Sequence, residues 1–373
     1  MKTIRIVAAD DSAVMRGLLT RMFATLHAQL QARLELCAAV PDGASCLHAV
    51  RTLQPDVVLL DLHMPGLGGL EALVHLRQEW PRLPIILCSS ATEDGAAATL
   101  EALSHGASDY VTKPASQVDA EAAMACLWVQ LAPKIVSLVL PERNTAGEAS
   151  NALGMGTNHS RVEAIGIGVS TGGPAALERL LPCLPEDFPV PVLVVQHMPK
   201  LFTNALAARL DRCCALRVER ATAGISLRPG TIWIAPGDSH MEVRMGSQGM
   251  ARIVLHQGER LHHCRPSVDV LFRSLAQSFG AGAMGLVLTG MGADGLEGSR
   301  AIVDAGGTVL AQDRASSAVW GMPGKVVAAA LARTVLPLDS LGAEIVSLTS
   351  RDGSRVPPAA CAEAVRQEVH HGL

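Results

Sequence analysis

Aromatic side chains are nearly missing from this 373-residue chain: Phe, Trp and Tyr make up 3% of it, with a single tyrosine, Tyr110. Its cores must therefore be aliphatic, and the stacking platforms of single-strand nucleic-acid binders are not available. A basic block is also lacking. Lys and Arg number 31 against 35 Asp and Glu, a net charge of -4, which argues against nucleic acid as a partner. The nine cysteines contain no C-x-x-C pair. Their odd number and the apolar settings of Cys37, Cys88 and Cys126 read as buried, reduced thiols of a cytoplasmic protein. The adjacent Cys213 and Cys214 read as two residues at a helix end. Long apolar runs are absent too. Val190–Val195 is strand-sized against the ~20 residues of a spanning helix, so no membrane insertion is expected. The opening Met1-Lys2-Thr3-Ile4-Arg5 passes into a strand without a leader pattern.

What the chain does have is 49% apolar residues, enough for sizeable cores and too many for a disordered chain. The first third alternates predicted strands (Ile4–Ala9, Leu34–Val40, Val57–Leu60, Ile85–Cys88, Ser108–Val111) with helical stretches (Ala13–Leu26, Ala44–Leu53, Leu70–Gln78, Ala96–Ser104 and a fifth at about Gln117–Leu131). This pattern predicts a doubly wound parallel sheet. Pro141–Ser160, rich in Asn, Gly, Ser and Thr, reads as a flexible linker. The alternation then resumes, with strands at Val162–Val169, Val190–Gln196, Thr231–Ala235, Met284–Thr289 and Thr308–Ala311. Helices are expected at Ala175–Leu181, Asn204–Asp211, Val268–Phe279 and Leu296–Asp304. Trp233–Gln257 reads as an inserted hairpin around the turn Gly246-Ser247-Gln248-Gly249. The expected architecture is α/β in two domains, residues 1–135 and 161–350, with a linker at 136–160 and a frayed tail at 351–373.

Ligands of open parallel sheets gather at the carboxyl ends of the strands. There the first domain places Asp10, Asp11 and Asp61, three carboxylates whose mutual repulsion makes sense around a hard divalent cation such as Mg²⁺. Ser89 and Lys113 end the next two strands. Together these groups can hold a phosphoryl group, with Asp61 as the nucleophile and Lys113 and Ser89 on the phosphoryl oxygens. Over residues 1–131 the segment resembles the receiver domain of two-component response regulators, a flavodoxin-like (βα)5 fold. The resemblance implies Mg²⁺ held by Asp10, Asp11, Asp61 and the His63 carbonyl, and phosphorylation of Asp61 by a histidine kinase. It also implies phosphoryl contacts from Ser89 and Lys113 and a switch role for Tyr110. Gly68 stands where the family often has Asp.

In the second domain Gly168-Val169-Ser170-Thr171-Gly172 fits the G-x-S-x-G elbow that exposes a serine oxygen between strand and helix. By itself it also reads as a small-residue turn without chemistry. A dinucleotide loop is a weaker rival, because Thr171 stands where the third glycine of G-x-G-x-x-G belongs. Among 13 histidines, His197 closes a neighbouring strand and is the best base. His240 is an alternative, while His256, His262 and His263 fall in a polar loop. Asp294, in the glycine-rich loop Thr289–Gly295, can orient the base, giving a Ser–His–Asp set. The blocks Gly168–Pro174, Gln196–Pro199, Ala235–Met241, Arg265–Asp269, Leu288–Gly295, Ala311–Asp313 and Gly321–Gly324 resemble the catalytic domain of chemotaxis protein-glutamate methylesterases. This resemblance implies Ser170 as nucleophile, His197 as base, Asp294 as its orienter, and Thr171 and Met291 at the oxyanion site. It implies hydrolysis of glutamate methyl esters on chemoreceptor cytoplasmic helices, with release of methanol, possible glutamine deamidation and no cofactor in this domain. A receiver with a DNA-binding output and a non-catalytic scaffold or nucleotide-binding module are the competing classes.

Overall fold

The computed structural model describes residues 2–26, 32–114, 119–140, 161–246 and 249–350. Residues 141–160 of the predicted linker, the tail after Ser350 and the tip Ser247-Gln248 of the hairpin turn lie outside the described residues. The chain divides into two compact units, Met1–Glu142 and Arg143–Leu373.

Unit 1 alternates five strands with five helices: β1 (Lys2–Ala9), α1 (Ala13–Thr25), β2 (Ala32–Val40), α2 (Gly43–Leu53), β3 (Val57–Asp61), α3 (Gly69–Glu79), β4 (Ile85–Ser89), α4 (Glu93–Ser104), β5 (Asp109–Thr112) and α5 (Ala120–Val139). The sheet order is β2-β1-β3-β4-β5, all parallel. Helices on both faces bury β3 and β4 completely, which is why these strands read as unbroken apolar runs. Short polar side chains start the helices just past the strands. Ser12 accepts from the Met15 amide at 3.3 Å, Asp42 from Ser45 at 2.8 Å and Thr92 from Gly95 at 3.0 Å.

α5 corrects two expectations. It runs eight residues beyond the predicted Leu131, with Pro133 inside it, and so takes in residues 136–139 of the expected linker 136–160. Its 20 residues make it long and apolar enough to cross a membrane, the one such helix among the described residues. Here it lays Ala123, Leu127, Leu131, Ala132 and Ile135 into the core of unit 1. Cys126 is exposed on its outer side and Cys37 is half-buried, so of the three thiols expected to be buried only Cys88 is.

Unit 2 carries a seven-stranded sheet ordered β14-β13-β12-β6-β7-β9-β8, again all parallel. Its strands are β6 (Ala164–Val169), β7 (Val192–Gln196), β8 (Arg217–Arg220), β9 (Thr231–Ile234), β12 (Ala283–Val287), β13 (Thr308–Gln312) and β14 (Thr334–Leu336). Six helices accompany them: α6 (Gly173–Leu180), α7 (Lys200–Cys213), α8 (Val268–Phe279), α9 (Leu296–Asp304), α10 (Met322–Ala328) and α11 (Leu338–Thr349). The inserted hairpin is β10 (His240–Met245) with β11 (Ala251–His256), antiparallel. Trp233, assigned to the hairpin from sequence, belongs instead to β9 and is fully buried in the parallel sheet. Cys213 ends α7 and Cys214 caps it. β8, β14, α10 and α11 were not foreseen.

The glycines of β6 are explained by packing. A Cβ on Gly168 would lie 2.3 Å from Val268 Cγ1, and one on Gly166 would lie 2.6 Å from Leu275 Cδ1. They let α8 press against the sheet, which removes the reason to read Gly166-Ile167-Gly168 as a phosphate loop.

Candidate active site

In unit 1 the order of the sheet reverses at β1 and β3, so Asp10 and Asp61 emerge side by side at its carboxyl edge. Lys113, past β5, places its Nζ 2.8 Å from Asp10 Oδ2 and 2.8 Å from Asp61 Oδ2. Burial raises the Asp10 carboxyl above its ordinary range, outweighing the hydrogen bond and charge of Lys113. Burial also pulls Lys113 down, but the two carboxylates outweigh it and hold the ammonium above its usual value. Asp11 is exposed and joins the cluster: one oxygen from each of the three aspartates lies within 4.8 Å of the others. Three clustered carboxylates facing one ammonium keep a net negative charge, and their oxygens fit a hard divalent cation.

The other predicted members divide. The His63 amide donates to Asp61 Oδ1 at 3.4 Å. The Ser89 hydroxyl is bound into its own corner, accepting from Thr99 Oγ1 at 2.6 Å and lying 3.2 Å from the Gly95 carbonyl. Tyr110 is buried on β5, with Lys134 Nζ 5.2 Å from its ring centroid and 2.7 Å from its carbonyl.

The site of unit 2 is built at a second switch point, where β6 lies between β7 and β12. Val169 pairs with Gln196, so Ser170 and His197 are the next residues past two paired strand ends. The His197 amide donates to the Val169 carbonyl at 3.2 Å, and the Ser170 amide donates to the Thr289 carbonyl at 3.0 Å. After Ser170 the chain turns through Gly172, whose φ of +76° favours glycine, into α6, with Pro174 in its first turn.

Three side chains that the sequence reading did not assign fix this elbow. Gln196 Nε2 donates to the Ser170 carbonyl at 3.0 Å and reaches the His197 carbonyl at 3.3 Å. The Thr289 hydroxyl donates to the Thr171 carbonyl at 2.9 Å. Gln312 Oε1 in turn accepts the Thr289 amide at 2.8 Å. All three lie in the sequence blocks quoted above, but nothing in a block separates a group that positions from one that reacts. Thr171 is buried, while Met291 is exposed in the turn between Gly290 and Gly292.

His197 Nε2 lies 2.7 Å from Asp294 Oδ2. Asp294 is 1% exposed and meets four further donors: the Ser267 hydroxyl at 2.8 Å and the amides of Val268, Asp269 and Gly295 at 2.7, 3.0 and 3.0 Å. Burial opposes its ionisation, but His197 and these amides outweigh it and hold its carboxyl well below the usual range. Burial likewise opposes the charged imidazole, but the hydrogen bonds of Asp294 and Cys264, followed by the charges of both groups, outweigh it and raise the proton affinity of His197.

The rival histidines are placed elsewhere. His240 is buried with Nδ1 accepting the Ser267 amide at 3.2 Å and Nε2 on the Glu259 carbonyl at 2.9 Å, so neither nitrogen faces a nucleophile. His262 contacts Asp269 at 3.1 Å, and His256 lies 3.3 Å from Glu242. One ligand atom from each of His262, Asp269 and Asp294 lies within 4.8 Å of the others. The carboxylates there are taken up by N–H donors, an arrangement of helix caps.

Known proteins match both units. The CheB methylesterase family matches residues 165–345, and the response regulator receiver domain family matches residues 6–125. A protein-glutamate methylesterase/protein-glutamine glutaminase of Nocardioides sp. is 43% identical over 370 residues, covering 96% of this chain and 99% of its own length. One from Trichodesmium erythraeum is 42% identical over 357 residues, with 93% and 99% covered. The crystal structure of the Thermotoga maritima CheB methylesterase catalytic domain is 37% identical, with a TM-score of 0.49, over 51% of this chain and 100% of that one. With relatives this similar over nearly its whole length, the chain belongs to the CheB methylesterase family, in the form that carries a response regulator receiver domain ahead of the methylesterase domain.

Proposed function

We propose that this chain hydrolyses glutamate γ-methyl esters on the cytoplasmic helices of chemoreceptors, releasing methanol, and deamidates receptor glutamines at the same site. The observation that carries this is the 2.7 Å His197–Asp294 pair at the rim where Ser170 leaves β6. Asp294 engages Nε2, which leaves Nδ1 to take the Ser170 proton. The freed oxygen attacks the ester carbonyl. The same proton then passes to the departing methoxide, and water, deprotonated by His197, hydrolyses the acyl-enzyme. For a glutamine the leaving group is ammonia. Amides at Thr171 and Met291 stabilise the oxyanion, each worth on the order of 10²–10³ in rate.

Asp61 is the proposed phosphorylation site and a histidine kinase the donor. A magnesium ion held by Asp10, Asp11, Asp61 and the His63 carbonyl would neutralise phosphoryl charge there. Lys113 balances the remaining charge and Ser89 donates to an oxygen, and Tyr110 reports the change. Phosphorylation raises esterase activity, so the reaction serves adaptation of the sensory pathway in the cytoplasm. The test is methanol release from methylated receptor membranes with and without a small phosphodonor. Release that rises with the donor is expected. No release from intact protein overturns the substrate, and release indifferent to the donor overturns the control.

A further inference from the structure

Two carboxylates are buried side by side behind His197. Asp269 and Asp294 are each 1% exposed, and each is raised in energy by the charge of the other. Only Asp294 touches the base. The hydrogen bonds show what the second one is for. Asp294 sits before α9 but accepts the first two amides of α8, those of Val268 at 2.7 Å and Asp269 at 3.0 Å. Asp269 sits in the first turn of α8 but accepts the amides that open α9, those of Gly295 at 3.0 Å and Gly298 at 2.7 Å, both through Oδ1. Neither helix has a side-chain cap from its own N-cap residue, Ser267 or Gly295. Each is capped by a carboxylate of the other. The approach requires Gly298, because a Cβ there would lie 2.6 Å from Phe272 Cβ and 3.0 Å from Asp269 Cα.

We propose that Asp269 is a positioning residue for the His197–Asp294 pair: through this exchange of caps it fixes the loop that carries Asp294 to the start of α8. The proposal rests on the esterase reading of Ser170, His197 and Asp294. Asp269 reaches neither the substrate nor the reacting atoms. The charged groups that face it are Asp294 from the β12–α9 loop, His262 from the loop before α8 and Arg273 from its own helix, with His197 beyond Asp294. Its negative charge adds to that of Asp294 and favours the imidazolium form of His197. Removing the charge while keeping the caps should therefore make His197 easier to deprotonate.

The experiment compares full-length wild type, Asp269→Ala and Asp269→Asn. It measures kcat and KM for methanol release against pH, the labelling rate of Ser170 by a fluorophosphonate probe, and the thermal midpoint. Asp269→Ala is expected to lower kcat and labelling about 10²-fold with KM changed less than about twofold, as for a group displaced by about an ångström. Asp269→Asn keeps Oδ1 as an acceptor, so it should recover most of the rate while the acid limb of the profile moves to lower pH. The proposal is overturned if folded Asp269→Ala retains kcat and labelling within about twofold. It is equally overturned if Asp269→Asn by itself loses about 10²-fold in kcat and labelling relative to wild type with its acid limb unmoved, a result that decides the matter even if the alanine variant does not fold. Wild type that labels at Ser170 but releases no methanol rejects the ester substrate alone, and the labelling rates then still decide the role of Asp269.

Discussion

His197 can act as a base only when neutral, and its partner Asp294 makes it hold its proton. Below its pKa the imidazole carries a proton and cannot take one from Ser170. Activity should therefore rise with pH through a limb placed above ~6.5, the value of an ordinary histidine. Asp294→Asn removes the charge that raises the pKa, so the limb should move down while the rate falls on the order of 10⁴-fold. Fluorophosphonate labelling of Ser170 followed against pH measures both. Ser170→Ala should abolish labelling and methanol release and leave phosphorylation of Asp61 untouched, since Asp61 lies in the other compact unit. A variant that still released methanol would remove Ser170 from the reaction. In unit 1, Lys113 is the one cation in contact with both Asp10 and Asp61 among the described residues. Lys113→Ala should leave that cluster more negative. Mg²⁺ should then bind at least as tightly while phosphoryl transfer to Asp61 slows, and separate Mg²⁺ titration and phosphorylation assays distinguish the two.

The elbow between β6 and α6 is held by contact as much as by hydrogen bonds. A Cβ on Gly173 would come within 1.9 Å of Gln196 Oε1, the side chain that clamps the Ser170 and His197 carbonyls. Gly173→Ala should cost about 1–3 kcal/mol, the usual range for overpacking, and reduce Ser170 labelling more than stability. Denaturant unfolding beside labelling kinetics checks it. Elements of this kind were legible in sequence to different degrees. α8 and α9 were read with the bounds they have, because their apolar faces repeat at helical spacing. β8 was missed because Arg217-Val218-Glu219-Arg220 has only one buried residue and lies at the sheet edge. β14 was missed because its three residues are all half-buried. Ser170, His197 and Asp294 could be found because strand ends and glycine turns mark their places. Gln196, Thr289 and Asp269 could not, because their work depends on which amide lies opposite, and that is settled only when distant segments meet.

Each unit has its own apolar core, and the core of unit 2 buries the aromatic Trp233 and Phe272 among its aliphatic residues. One is centred on Ile4, Ile6, Leu19, Leu59 and Leu127, the other on Leu193, Trp233, Phe272 and Leu275. Separate cores predict separate unfolding. Calorimetry of the full chain should show two transitions, and Mg²⁺ should raise only that of unit 1, by ~2.7 kcal/mol at a hundredfold excess over its Kd. A single transition that moves as a whole with Mg²⁺ would mean that the units unfold as one. The register of the second sheet has a further consequence. Because Ser170 and His197 follow directly on the paired Val169 and Gln196, the span between nucleophile and base is set by the repeat of the sheet, ~4.8 Å from strand to strand. Backbone pairing therefore serves as the ruler of the reaction, and surface loops can change freely in length and composition without altering that spacing.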